Sequence, residues 1–111
     1  MSYIQALEQQ LEGQRALVAR RDLALKLAKV PEFKQLILDE FCTTECARYA
    51  QESADPLLTP DQRADALAIA QAAGHLRRYL SIQIRLGDTA EQQIAAIESE
   101  IEQIRQNGED D

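Results

Sequence analysis

Tryptophan is absent from this 111-residue chain, aromatic residues make up 5%, and there are only four glycines and three prolines. So few turn-forming residues exclude a loop-rich or all-β fold. Cysteine occurs twice, at Cys42 and Cys46, which is too little for a disulfide framework; a reducing compartment follows as the default. The opening MSYIQALEQQ has neither the basic n-region nor the apolar h-region of a secretory signal. No apolar run reaches the length of a membrane span.

What is abundant is Ala, Leu, Ile, Gln, Glu and Arg. Ala and unbranched side chains lose little freedom on entering a helix, so this vocabulary belongs to long helices and coiled coils. The length suits one domain, 1–111, with a small core. The net charge of −7 is unevenly placed: residues 1–30 carry +2, 31–87 carry −2 and 88–111 carry −7. A negative C-terminal segment repels phosphates, so nucleic acid is disfavoured as a partner. It suits a basic protein surface, or simply solubility.

Helical periodicity divides the chain. A first helix is expected over 2–29, with Ser2 and Gln5 spaced as a capping box. Its stripe is Ile4, Leu7, Leu11 and Val18. Leu23, Leu25 and Leu27 widen the apolar face and predict burial on more than one side. Pro31 ends this helix and opens a helical head, 31–54. Phe33, Leu36, Ile37 and Phe41 share one side of the head. Thr43 is placed to cap a short third helix. Asp55-Pro56 stops it.

Thr59-Pro60-Asp61-Gln62 carries a cap, a proline at the first helical position and a closing Gln. A very long last helix, 59–107, follows; at 1.5 Å per residue it spans about 70 Å. Leu76, Tyr79, Leu80 and Ile82 form a broad face of the kind a multi-helix core needs. Beyond them Ala90, Ile94, Ile97, Ile101 and Ile104 step by four and three, a narrow coiled-coil seam. The steps 82, 86, 90 and 94 resemble a four-residue insertion in the heptad, and Gly87-Asp88 at that point marks a kink or a break. Gly108 is the expected C-cap, before a disordered tail that together with it makes up 108–111. The fold class is thus all-α: an elongated helical hairpin or coiled coil with a small helical head. The first stripe and the isoleucine seam pair either within one chain, with Ile4 near Ile104 and Val18 near Ala90, or between copies. Isoleucine along the seam permits dimers and higher states. The candidate partner or oligomer interface is therefore Ile4, Leu7, Leu11, Val18, Ile94, Ile97, Ile101 and Ile104.

Residues able to do chemistry are few. Cys42 and Cys46 sit one helical turn apart, but zinc needs four ligands, or three and a water, and His75 is the only other strong ligand in the sequence. The common redox motif has two intervening residues, not three. His75 has no nucleophile or second base marked beside it. Glu98, Glu100 and Glu102 lie on a helix flank, where carboxylate pairs lack the cleft that glycoside chemistry requires. Neither catalysis nor a metal nor a cofactor is expected. Arg77, Arg78 and Tyr79, with His75 and Arg85 nearby, form the one basic cluster; salt bridges to head carboxylates or to a partner suit it better than phosphate contact. With Phe33 and Phe41 these three are the candidate docking contacts.

The stretch VPEFKQLILDEFCTTECARYAQ, the Asp55-Pro56 break and GHLRRYLSIQIRLGDTAEQQI resemble a family of small all-helical proteins encoded in the head and virion gene region of tailed bacteriophages. Pro31, Glu32, Phe33, Lys34, Leu36, Ile37, Leu38, Phe41, Ala47, Arg48, Asp55, Pro56, Leu76, Arg78, Tyr79, Leu80 and Gly87 occupy the positions of its pattern. The match covers roughly residues 29–95, and Cys42 and Cys46 are not part of it. The resemblance implies a non-enzymatic structural or assembly role in the virion or host cytoplasm. The chain would dock on a larger head, portal or core protein and form a homo-oligomer. The alternative is an acidic phage inhibitor of a host defence or DNA-binding protein.

Overall fold

The computed structural model describes residues 2–108, and the chain is all-α, with no strand among them. Its elements are α1 (Tyr3–Ala28), α2 (Pro31–Phe33), a π-helix (Lys34–Glu45), α3 (Cys46–Glu52) and α4 (Pro60–Asn107). No described helix is long and apolar enough to cross a membrane.

Local chemistry sets the helix ends. The Gln5 N–H donates to Ser2 Oγ at 3.1 Å while the Ser2 N–H donates to Gln5 Oε1 at 3.0 Å. Thr59 and Gln62 make the same reciprocal pair at 3.1 and 3.0 Å. Each box satisfies amides that the first helical turn leaves open. Pro31 takes the first helical position of α2. Gly108 adopts a left-handed φ of +72° and donates to Arg105 O, closing α4 as a side chain with a Cβ could not easily do. The disordered tail expected after Gly108 falls on 109–111, outside the described residues.

Two expectations about these elements are corrected. Thr43 does not start a new helix. The backbone stays helical from Pro31 to Glu52, and its middle is wound with hydrogen bonds to the fifth residue back: the Cys46 N–H reaches Phe41 O. Side chains fit this wider winding. Thr43 Oγ1 donates to Leu38 O at 2.9 Å, Thr44 Oγ1 donates to Asp39 O at 3.2 Å, and Lys34 Nζ pairs with Asp39 at 2.9 Å, all five residues apart. The hydroxyls that suggested a cap therefore bond backwards into the helix. Nor does Gly87-Asp88 break α4, which runs for 48 residues without interruption, about 72 Å at 1.5 Å per residue.

The chain forms two compact units. The first joins α1, up to Ala24, to α4 from Gln83 onward. Here Ile4, Leu7 and Leu11 pack on Ile97 and Ile101, flanked by Ile94 and Ile104. Contacts descend in order along the pair, Tyr3 to Glu100, Arg15 to Glu98 and Arg21 to Asp88, so the two helices are antiparallel. The apolar seam and the N-terminal stripe thus lie against each other within one chain. Burial of side chains of this size stabilises by about 1.5–3 kcal/mol each relative to exposure.

The second unit, Leu25–Ile82, contains α2, the π-helix, α3 and the first part of α4. Its buried apolar residues are all small: Cys42, Ala66 and Ala73. The broad face expected to be covered in a multi-helix core is not. Tyr79 is 52% exposed and Leu76 exposed, while Leu80 and Ile82 are half-buried. Leu25 and Leu27 are exposed as well, and Leu23 of the first unit is 68% exposed, against the expected burial of this run. The reason is one of number: a helix end can bury a wide face only if more than one neighbour packs on it.

Candidate docking surface

The first unit is locked by an arginine. Arg21 continues the N-terminal stripe three residues after Val18, where an apolar residue would be expected, and is only 9% exposed. Its stem lies on Gly87: a Cβ at that position would collide with Arg21 Cβ, and would approach Cγ and Cδ to 2.8 Å. The head emerges beyond the glycine and donates from Nη1 to Asp88 at 3.0 Å and Glu91 at 3.2 Å, and from Nε to Asp22 at 3.2 Å. These carboxylates hold the guanidinium charge and push its pKa above its already high ordinary value. A cation in an apolar stripe is tolerable only when so paired. Position 21 escaped the periodicity reading because its residue is charged; the signal was the combination of Gly87 with Asp88 and Glu91 on the facing helix.

Other charges flank this hairpin. Arg15 pairs with Glu98 at 3.6 Å and Arg105 with Glu8 at 3.2 Å, around a polar groove of about 470 Å³ floored by Leu11 and Ile101. Tyr3 donates its hydroxyl to Glu100, and this hydrogen bond, with the carboxylate's charge, raises the phenol pKa above 10.0. Glu102 accepts from Gln106. These glutamates face long side chains and solvent.

Of the interface candidates, Ile4, Leu7, Leu11, Ile97 and Ile101 are buried against one another, Ile94 and Ile104 pack beside them, and Val18 is half-buried. The docking candidates lie in the second unit. Phe33 and Phe41 are half-buried on α2 and the π-helix. Arg77 donates from Nη1 to Thr43 Oγ1 at 3.2 Å, tying α4 to the π-helix, while Arg78 and Tyr79 are exposed. His75 is exposed too. Cys42 is buried, and burial raises its thiol pKa; Cys46 donates to Ala70 O at 3.5 Å. Among the described residues no three His, Cys, Asp or Glu side chains are grouped to hold a metal.

Outward from Cys42, the π-helix shows a depression of about 650 Å³. Leu36, Ile37 and Phe41 give it an apolar lining, and Glu40, Thr44 and Glu45 a polar rim. Leu36 is 62% exposed. Sequence periodicity put Phe33, Leu36, Ile37 and Phe41 on one side of the head and named Phe33 and Phe41 as docking contacts. What it lacked was the winding, which turns Leu36, Glu40–Phe41 and Thr44–Glu45 onto one outer face. Such wide turns recur at functional sites. No family model, curated protein or solved structure matches the chain.

Proposed function

We propose that this chain is a non-enzymatic assembly protein of a tailed-phage virion. It docks on a larger head, portal or core protein and self-associates through its helices. The observation that carries the reading is the second unit. Its buried side chains are small, while large apolar side chains such as Leu36 and Tyr79 face outward on adjacent helices. Surfaces of that kind stabilise a fold when a protein partner covers them. The resemblance of residues 29–95 to small helical proteins of phage head gene regions supplies the setting.

The alternative, an inhibitor whose acidic tail imitates nucleic acid, is weaker. Asp88, Glu91, Glu98 and Glu100 are engaged by Arg21, Arg15 and Tyr3 of α1, which leaves less free charge to present to a basic groove. Mass spectrometry of purified virions, with co-purification on portal and capsid proteins, tests the proposal. A fixed stoichiometry to either, or capture by either during assembly, is the expected result. Absence from particles together with no affinity for any virion protein overturns it.

A further inference from the structure

We infer that the outer face of the π-helix is a self-association site, filled by the Leu76–Tyr79 ridge of a second copy. The inference rests on the self-association half of the proposed function and gives it a location. The isoleucine seam, the obvious oligomer contact in the sequence, is turned onto α1 of the same chain. Self-association must therefore use another apolar surface, and the second unit has two.

The first is the depression on the π-helix. Leu36, Ile37 and Phe41 line it, and the carboxylates at its rim are Glu40 and Glu45. Glu45 is already held by Arg48, but Glu40 is exposed and has no ion-pair partner among the described residues. The second is a ridge on α4. Residues three and four apart on a helix are surface neighbours, so His75, Leu76, Arg78 and Tyr79 form one continuous exposed patch. It is apolar through Leu76 and Tyr79 and basic through Arg78, which also has no ion-pair partner among the described residues.

Groove and ridge are complementary in both respects. One is concave with an acidic rim; the other is convex with a basic flank. Both lie in the same unit of the same chain, so a two-fold pairing of two copies uses each of them twice, as isologous contacts do. A buried tyrosine alone contributes roughly 150–250 Å². The pairing sets Leu76 and Tyr79 of each copy against Leu36, Ile37 and Phe41 of the other. An unrelated partner would have to provide a basic amphipathic helix to do the same; a second copy already has one.

The charges provide the test. Glu40 and Arg78 have no ion-pair partner among the described residues, so Glu40→Arg and Arg78→Glu remove none there. Sedimentation velocity on the full chain over the micromolar range should show a reversible dimer. Each single reversal should weaken it by about tenfold, through like charges at the contact, and the double variant should restore it. Tyr79→Ala should weaken it by about a hundredfold, as the loss of a central aromatic anchor does, with helical circular dichroism unchanged. A wild type that stays monomeric overturns both this inference and the self-association half of the proposed function, and leaves the groove to a different protein. A dimer indifferent to both reversals, or one that the double variant does not restore, overturns only the location.

Discussion

Three glycines lie inside helices, and replacing each by alanine separates helix propensity from close packing. At Gly13 in α1 and Gly74 in α4 a new Cβ would meet nothing within 4 Å. Alanine there should stabilise by about 0.5–1 kcal/mol, because glycine loses more backbone freedom on folding. The same gain is on offer at Gly87, but a Cβ there collides with the Cβ of Arg21. Arg21 Cγ and Cδ can swing aside. Its Cβ is fixed to the backbone and cannot. The helices must move apart, which loosens the contact around buried Ala90 and stretches the reach of Arg21 to Asp88 and Glu91. Overpacking of this kind costs about 1–3 kcal/mol. Gly87→Ala should therefore be destabilising by about 1–2 kcal/mol net. At roughly 4–8 °C per kcal/mol for a small domain, thermal melts followed by circular dichroism would show Gly13→Ala rising and Gly87→Ala falling. Adding Arg21→Gly removes the colliding atoms, so Gly87→Ala should be less harmful in that background than in the wild type, a coupling that a double-mutant cycle reads directly. If Gly87→Ala melts as high as Gly13→Ala, the close approach of Arg21 to α4 is wrong.

Other expectations follow from burial and titration. Leu7, only 3% exposed, should cost about 2–4 kcal/mol on replacement by alanine in urea titrations, whereas Leu23→Ala should change stability by less than about 0.5 kcal/mol; equal effects would contradict the packing of the hairpin. Tyr3 donates to the Glu100 carboxylate, so the folded chain holds the phenol proton more tightly than the unfolded chain does. The stabilisation this gives is complete below the ordinary value of 10.0 and is lost as the pH rises through the higher folded value. Spectrophotometric titration should find Tyr3 ionising late, and Glu100→Gln should bring it earlier. Of the two thiols, half-buried Cys46 should be alkylated well before Cys42, whose burial both shields it and disfavours the reactive thiolate; peptide mapping after brief alkylation would show the order reversed if Cys42 were the exposed one.

Helix type, helix ends and the apolar seam were legible from the sequence because each rests on local rules. A capping box needs only the spacing of Ser2 to Gln5 or Thr59 to Gln62, and a seam needs only the three-and-four stepping of Ile94 to Ile104. The long last helix followed from the same periodicity. Tertiary contact decided what periodicity could not see. Arg21 belongs to the stripe because Gly87 leaves room for its stem and Asp88 and Glu91 receive its head, none of which is visible along α1 alone. The supposed weak point at Gly87 is a close packing site for the same reason. In the 34–45 segment, threonines that locally read as a cap bond to carbonyls five residues back, and the changed winding carries Leu36 and Phe41 to an outer face. Hydrophobic pattern states that a side chain seeks cover. Whether its own chain provides that cover depends on how many neighbours reach it, and in the second unit those neighbours bury only Cys42, Ala66 and Ala73.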